Sequence, residues 1–287
     1  MNQPLACLIG ADLPLGDVIR ALDLLVRAGV ASAASPVRCF VPPERAPLCA
    51  PWGEAFTVAP VEEAADGLPR QVLYLSLAPL PPGITGRVLT LEALLPTGET
   101  LKQRTQSLPQ ALLAALGLTE TVLLPAVPPA AVPPPAFDVA LNWRVPADWQ
   151  LKTLPPVLWD ALEQALTQRC LRVTRQPEQD DGLAGYMAWC ASARVMVSCV
   201  GLGCHLGLLY RRPTVILAGP TLYDEALEDP LCHLLSPQDH CPQRPCNAPR
   251  CSWSPSGDLS TDGCMPRHDL SAIIPRILSC LAQEAAP

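Results

Sequence analysis

The chain has 287 residues, of which 49% are hydrophobic and 16% charged, so it can bury a substantial core and disorder is not expected. This length fits one large domain or two of ordinary size. The formal net charge of −7 argues against a nucleic-acid-binding surface, which requires clustered Lys and Arg.

Targeting signals are missing from the sequence pattern. No run of about 18 apolar residues occurs, so no transmembrane helix is expected. The first residues lack the basic start and small-residue cleavage site of a signal peptide. A cytoplasmic protein is the simplest expectation.

An odd number of cysteines, 13, also argues against a disulfide framework. Several cysteines lie in or beside apolar runs, where a thiol behaves as a small buried hydrophobe: Cys7, Cys39, Cys49, Cys170, Cys190, Cys199 and Cys204.

The first half of the chain begins with a strand, a turn and a helix. An apolar strand is predicted at residues 4–10. An amphipathic helix begins at Leu15 and ends before Gly29. This unit is the expected start of a parallel sheet. Further strands are predicted at residues 37–41, 55–58, 71–76 and 87–91, and a helix at residues 108–116.

A proline-rich segment divides the chain. Residues 125–135 read PAVPPAAVPPP, which favours extended polyproline geometry over helix or central strand. We predict a linker at residues 125–136, between an N-terminal domain of residues 1–124 and a C-terminal domain of residues 137–287. The alternative is an ordered loop that crosses the surface of a single domain.

The second half alternates strands and helices more regularly. Such repeats predict a doubly wound parallel sheet with helices on both faces. The fold class is therefore α/β, with two Rossmann-like domains. The predicted strands are residues 137–143, 170–175, 194–199 and 214–219, and the predicted helices are residues 155–169, 183–192, 205–210 and 270–283.

Three segments resemble glycosyltransferase family 9, the bacterial heptosyltransferase family. Residues 197–221, VSCVGLGCHLGLLYRRPTVILAGPT, resemble its sugar-donor segment, which ends in Gly-Pro-Thr. Residues 15–22, LGDVIRAL, are similar to its N-terminal Gly-Asp-Val motif. Residues 141–162, LNWRVPADWQLKTLPPVLWDAL, resemble its segment with a Lys before a Pro and a helix bearing Trp. The middle of the N-terminal domain matches only loosely and looks shortened.

This resemblance implies a GT-B architecture, with the acceptor mainly on the first domain and the donor on the second. It implies inverting transfer of a sugar, such as a heptose, from a nucleotide-diphosphate donor, without a catalytic metal. The acceptor would be a hydroxyl of a glycan, glycolipid or protein. The resemblance also allows a homo-oligomer. Fold alone does not fix function, so the residues of the site carry the argument.

Two residues match the reacting groups of the family. Asp17 lies where the resemblance places the general base, which deprotonates the acceptor hydroxyl. The alternative role for Asp17 is that of a plain helix N-cap. Lys152 matches the family's diphosphate-contacting lysine, since an ammonium stabilises a departing diphosphate. Its alternative is an ordinary surface lysine. Arg144, in the same loop, is a weaker second candidate.

The donor-binding candidates lie in two loops of the second domain. His205 is predicted to open the helix after the third strand, at the sheet edge where α/β proteins bind ligands. Neighbouring loop residues shape the site, and the backbone N–H groups of all but the proline could approach a phosphate or a sugar: Gly201, Gly203, Gly219, Pro220 and Thr221.

The chain departs from the family at Val200. The family carries an Asp at this position, whereas a valine cannot accept hydrogen bonds from a ribose or a sugar. We therefore expect an altered donor pocket, an acid supplied from elsewhere, or a degenerate member of the family.

A cysteine-rich finger is predicted at residues 240–265. Its cysteines are separated by four, four and twelve residues in a proline-rich segment with little core, so a structural metal could stabilise it. Four thiolates suit zinc or iron, and some relatives of family 9 carry an iron-binding finger. Reduced free thiols are the alternative. His240 is a substitute ligand, and Cys232 and Cys280 are bystanders. The predicted ligands are Cys241, Cys246, Cys251 and Cys264.

Two other functions compete with the transferase. The first is a non-catalytic scaffold of the same fold, favoured by Val200 and the shortened first domain. The presence of both Asp17 and Lys152 favours the enzyme. The second is a dinucleotide-binding enzyme, and the missing G-x-G-x-x-G motif counts against it.

Overall fold

The chain, seen here in a computed structural model, forms two compact units. One comprises residues 1–131 and 182–184, and the other residues 132–181 and 185–287. The boundary at residue 131 falls inside the segment predicted as a linker, most of which lies outside the described residues. The structure describes residues 5–65, 68, 71–76, 78–81, 84, 87–90, 112–114, 116–117, 132–178, 181–221, 229–238, 241, 246 and 263–284.

The first unit contains a five-stranded sheet in which every pair of neighbouring strands is parallel. Its order is β3-β2-β1-β4-β5. Two 3-10 segments, Pro43–Ala55 and Val61–Ala65, follow β2 and β3. The strands are β1 (Leu5–Ile9), β2 (Val37–Val41), β3 (Phe56–Pro60), β4 (Gln71–Leu75) and β5 (Arg87–Thr90).

Helix α1 (Leu15–Arg27) forms because its apolar residues recur at helical spacing and reach one buried face. Val18, Leu22 and Leu25 are fully buried on that face. Gly29 ends the helix in the left-handed conformation with φ of 68°, which costs glycine little. The predicted helix and its stop are confirmed.

The second unit contains another all-parallel sheet, of order β10-β9-β8-β6-β7. A 3-10 segment, Ala147–Lys152, follows β6. The strands are β6 (Phe137–Asn142), β7 (Val173–Arg175), β8 (Ala193–Cys199), β9 (Thr214–Leu217) and β10 (Cys232–Leu235). The helices are α2 (Pro156–Thr167), α3 (Gly182–Ala191), α4 (Leu202–Leu209) and α5 (Leu270–Glu284).

Both sheets are consistent with Rossmann-like domains, so the predicted fold class is confirmed. Each sheet has a point where the strand order reverses: between β1 and β4 in the first, and between β6 and β8 in the second. Ligands of open α/β sheets bind outside the carboxyl ends of the strands at such a point. These two edges are therefore the places to look for a site.

Three predicted elements differ from the structure. The strand expected at residues 170–175 is shortened to Val173–Arg175, because Cys170 takes a left-handed turn with φ of 60°. Helix α4 starts at Leu202, three residues before His205, because the Cys204 N–H already bonds the Gly201 carbonyl. Strand β10 was not predicted. Within the helix expected at residues 108–116, only residues 112–114 among the described positions are helical.

Among the described residues, no helix combines the length and apolarity that crossing a bilayer requires.

Candidate functional site

A buried polar network occupies the reversal point of the second sheet. The Tyr186 hydroxyl donates to Asn142 Oδ1 at 3.0 Å, and Asn142 Nδ2 donates to Ser198 Oγ at 2.8 Å. Ser198 Oγ in turn donates to the Cys199 carbonyl at 2.7 Å. Asn142 and Ser198 are register partners at the ends of β6 and β8, and both are buried. A fully satisfied network of this kind fixes the geometry of the edge that carries it.

Helix α4 begins directly against this network. A Cβ at Gly203 would lie 2.8 Å from Asn142 Cγ and 2.9 Å from Ser198 Oγ, so only glycine fits there. The backbone of α4 therefore approaches the strand ends closely. Gly201, at the N-cap, has extended backbone and no heavy atom within 4 Å of an added Cβ.

His205 does not open helix α4, contrary to the prediction. It is the fourth residue of the helix, whose first turn is formed by Leu202, Gly203 and Cys204. The Cys204 N–H already bonds the Gly201 carbonyl, so the N–H groups that this helix start could offer to an anion are those of Leu202 and Gly203. The role of His205 in donor binding stays a prediction.

Lys152 ends the 3-10 segment after β6, on a loop that is held at several points. Its ammonium lies 3.9 Å from the centre of the Trp149 ring, a cation–π contact. Thr153 Oγ1 donates to the Trp143 carbonyl at 2.7 Å and accepts from Trp159 Nε1 at 3.0 Å. Trp159 is fully buried in the core of the unit. The loop that carries Lys152 is thus anchored to the core.

The loop after β9 meets the Lys152 loop. A Cβ at Gly219 would lie 2.6 Å from Met265 Sδ and 3.9 Å from the Leu151 carbonyl oxygen. His268, buried before α5, donates from Nε2 to the Ala218 carbonyl at 2.8 Å. Gly219 is therefore brought next to the residue that precedes Lys152.

Thr221, at the end of the Gly-Pro-Thr motif, carries an orphaned polar atom. Its Oγ1 is buried and has no hydrogen-bond partner in the described part of the chain. Buried hydroxyls are almost always paired, so a partner beyond the described residues is expected here. A phosphate or sugar oxygen is one group that accepts from such a hydroxyl.

Arg144 is placed on the β7 side of the edge. Its Nη1 donates to the carbonyl oxygens of Pro177 and Glu178 at 3.0 and 3.1 Å, and its backbone N–H donates to Gln176. These contacts stabilise the loop after β7. They give Arg144 a structural task beside the donor-binding role predicted for it.

Val200 packs into an apolar cluster. It is 9% exposed and lies with the buried Cys204 and Ile216, against Cys232 and Leu234. Burial raises the pKa of the Cys204 thiol to about 11, as expected for a dry environment. A carboxylate at position 200 would be costly in this cluster. The valine that replaces the family's Asp at position 200 therefore lies in an apolar environment that suits it.

In the first unit, Asp17 is half-buried in the first turn of α1. It is the third helical residue, and Pro14 takes the N-cap position, so the plain N-cap role considered for Asp17 does not apply. The N–H groups of Asp17 and Val18 both bond the Pro14 carbonyl. The loop from Gly10 to Pro14 thus sets the position of Asp17.

The sequence did not single out a second carboxylate at the reversal point of the first sheet. Asp12 follows β1, and its Oδ1 accepts from the Ser76 hydroxyl after β4 at 2.6 Å. The same hydroxyl oxygen accepts from the Ala78 N–H at 3.0 Å. A signal was available, because Asp12 follows one predicted strand of a parallel sheet and Ser76 is the last residue of another. Asn142, Ser198 and Tyr186 were also missed.

The cysteine finger lies largely outside the described residues, Cys251 and His240 included. Cys241 and Cys264 are half-buried and Cys246 is exposed. Within the described part of the chain, no three His, Cys, Asp or Glu side chains gather as a metal site would require. The four-cysteine site accordingly stays a prediction.

The chain therefore has two parallel Rossmann-like sheets, each with polar groups at its reversal point. Comparison with solved structures gives the particular relatives. The chain is similar to E. coli ADP-heptose LPS heptosyltransferase II, with a TM-score of 0.70 and 12% identity over 99% of this chain and 100% of that one. A glycosyltransferase family 9 protein from Veillonella parvula gives 0.66 and 11%, covering 98% of each chain.

A third similar structure is TibC, an iron-containing dodecameric glycosyltransferase from enterotoxigenic E. coli. It matches with a TM-score of 0.66 and 12% identity over 99% of this chain and 78% of TibC. The heptosyltransferase-like fold that the sequence motifs indicated is thereby confirmed. No protein-family model matches the sequence, and no curated protein matches it significantly.

Proposed function

We propose that this protein is a glycosyltransferase that moves a sugar from a nucleotide-diphosphate donor to an acceptor hydroxyl. The observation that carries the proposal is the likeness in fold to heptosyltransferases over nearly the whole chain. The name of one of these proteins identifies ADP-heptose as its donor, so an ADP-sugar is the first donor to test.

The donor would lie at the carboxyl edge of the second sheet. There the Lys152 loop meets the Gly219 loop, and α4 begins against Asn142 and Ser198 near the ends of β6 and β8. Lys152 would contact the diphosphate, and the orphaned Thr221 hydroxyl would donate to one of its oxygens. The N–H groups at the start of α4 would add the positive end of a helix dipole. The departing diphosphate would be stabilised by these groups without a catalytic metal.

The reaction would invert the anomeric centre. Asp17 would take the proton of the acceptor hydroxyl as its oxygen attacks the anomeric carbon. The bond from that carbon to the diphosphate would break, and the nucleoside diphosphate would leave with the electron pair. A half-buried carboxylate on a rigid helix turn suits this task, since a base must be held in hydrogen-bonding reach of its proton.

The second candidate function is a non-catalytic scaffold, and Val200 favours it. The position where the family carries an acid is buried among apolar side chains, so no carboxylate reaches the donor from there. The Thr221 hydroxyl, which has no partner among the described residues, favours the transferase instead, because a bound phosphate or sugar would pair it.

Calorimetric titration with ADP-sugars and UDP-sugars separates the two functions. The transferase proposal predicts binding with a Kd below 1 mM. The variant Lys152→Met should bind about tenfold more weakly, because a charge-assisted hydrogen bond contributes about 1.5–3 kcal/mol. Arg169→Met is the matched control, since this exposed arginine caps its own helix end through the Ala165 carbonyl. Absence of binding at millimolar ligand, with the protein folded, would refute the proposal.

We further propose a structural iron or zinc ion at the four cysteines of the finger. TibC is described as iron-containing, which supports iron as the first metal to test. Elemental analysis of purified protein should give close to one metal per chain. Cys251→Ser should lose it, and Cys170→Ser, at an exposed site elsewhere, should keep it. Less than about 0.2 metal per wild-type chain would contradict the site.

A further inference from the structure

A buried arginine lies under the loop that leads from β1 to α1. Arg45, at the start of the segment Pro43–Ala55, is 8% exposed. It is the only Lys, Arg, Asp or Glu among the described residues that is buried. A buried charge is costly unless it is paired and hydrogen-bonded, so its partners indicate its task.

The guanidinium donates to the backbone of this loop. Nη1 donates to the Leu13 carbonyl at 2.7 Å, and Nη2 donates to the Ala11 carbonyl. The planar guanidinium presents its donors in a fixed fork, so two carbonyls two residues apart are held at a set spacing. Burial lowers the pKa of Arg45, and the charges of Asp12 and Glu44 oppose that shift.

The opposite side of the loop is fixed by the end of β4. The Ser76 hydroxyl donates to Asp12 Oδ1, and the Gly10 N–H bonds the Leu75 carbonyl at 2.9 Å. A Cβ at Gly10 would lie 2.5 Å from Ser76 Cβ, directly after β4, so the loop passes too close to the end of β4 for any other residue. The backbone from Gly10 to Leu13 is therefore held on one side by Ser76 and on the other by Arg45.

We propose that Arg45 is a positioning residue for the candidate base Asp17, acting through the backbone of residues 11–14. Leu13 precedes Pro14, whose carbonyl accepts the N–H groups of Asp17 and Val18. The first turn of α1 has no side-chain hydrogen bond from its N-cap residue, because a proline stands there. Arg45 does not cap these N–H groups, because a guanidinium only donates; it fixes the loop that leads into the turn, through the Ala11 and Leu13 carbonyls. This inference rests on the proposed transferase function.

Turnover of the variant Arg45→Gln tests the positioning role. Its kcat should fall roughly 10- to 100-fold, since small displacements of a catalytic group cost about that much. The KM for the donor should stay within about twofold, because the donor candidates lie on the other unit. Arg45→Lys, which keeps the charge and can donate to a carbonyl, should recover part of the rate. Arg38→Gln, which removes the exposed partner of Glu63, is the matched control and should leave kcat unchanged.

A double-variant comparison separates positioning from general stabilisation. If Arg45 acts through Asp17, adding Arg45→Gln to Asp17→Asn should lower the rate by less than about threefold further. Multiplication of the two single effects would overturn the proposal. Absence of turnover in the wild-type protein would refute the proposed transferase function and leave the positioning role to be tested separately.

Amide hydrogen exchange tests the positioning role without any need for turnover. The N–H groups of Asp17 and Val18 should exchange at least about tenfold faster in Arg45→Gln than in Arg38→Gln. Equal exchange rates would overturn the positioning role whatever the activity.

Discussion

At the scale of single residues, Asp17 is the group on which the proposed chemistry depends. The structure places it at the third position of α1, half-buried, with its N–H tied to Pro14. Replacing the Asp17 carboxylate by the amide of asparagine keeps the shape of the side chain and removes its ability to act as a base.

We therefore expect Asp17→Asn to lower kcat by roughly 10²- to 10⁴-fold, the usual contribution of a positioned base. Steady-state rates with donor in excess measure this loss. Asp23→Asn, on the same helix, is the control, because Asp23 pairs only weakly with Arg27 at 3.7 Å. An Asp17→Asn variant with full activity would show that the base lies elsewhere, and Asp12 would be the next carboxylate to change.

Sequence motifs located residues better than they located contacts. Lys152 and Thr221 could be predicted as site residues because the sequence around each resembles a family motif. Asn142 and Tyr186 could not, because an Asn at the end of a strand and a Tyr inside a helix have no signature of their own. The pairing of β6 with β8 brings Asn142 to Ser198, and α3 brings the Tyr186 hydroxyl to Asn142. The sequence did not indicate the role of Arg45 either, because an arginine is normally expected to be exposed.

At the scale of elements, helix α4 and its loop decide whether the second edge can form. The sequence predicted this helix three residues too late, because Gly201 and Gly203 read as loop residues. In the structure Gly203 is helical and serves close packing against Asn142 instead. Glycine spacing therefore indicated a turn where the real constraint is the distance between a helix and a strand end.

The variant Gly203→Ala tests this packing. Alanine favours a helix by about 1 kcal/mol over glycine, but the added methyl would displace Asn142 and its hydrogen bonds. We expect a net loss of about 1–2 kcal/mol in the free energy of unfolding, measured by urea denaturation. Gly201→Ser is the control, because space is open there and serine suits an N-cap. It should change stability by less than about 0.5 kcal/mol. An unchanged Gly203→Ala protein would contradict the close approach.

At the scale of the whole molecule, alternation of apolar strands and helices was enough to predict two parallel α/β units. Long, periodic segments such as α1, α2 and α5 were placed to within a few residues. Strand β10 was not predicted, because its four half-buried residues show no alternation of apolar and polar positions. The strand orders could not be read from the sequence either, since they depend on pairing between distant segments.

Buried thiols give the whole molecule a characteristic pH dependence. Burial raises the pKa of Cys199 to about 12 and that of Cys204 to about 11. The folded state therefore keeps protons that the unfolded chain releases near pH 9. This contribution to stability is complete below that pH and is lost as the pH rises toward 11 and 12.

Between pH 9 and pH 10 the free energy of unfolding should fall by at least about 2 kcal/mol under reducing conditions. Urea denaturation at each pH measures this fall. In Cys204→Ala the fall should be about 1 kcal/mol smaller, whereas Cys170→Ala, at an exposed position, should match the wild type. A free energy of unfolding that is flat across this range would contradict the protonated, buried state of these thiols.

We propose that the carboxyl edge of the second sheet binds a nucleoside diphosphate. Titration of isotopically labelled protein with ADP, followed by backbone amide NMR shifts, tests this binding most directly. We expect saturable shifts concentrated at Lys152, at residues 198–205, and at Gly219 and Thr221. Shifts confined to other parts of the chain, or none at millimolar ADP with the protein folded, would contradict it.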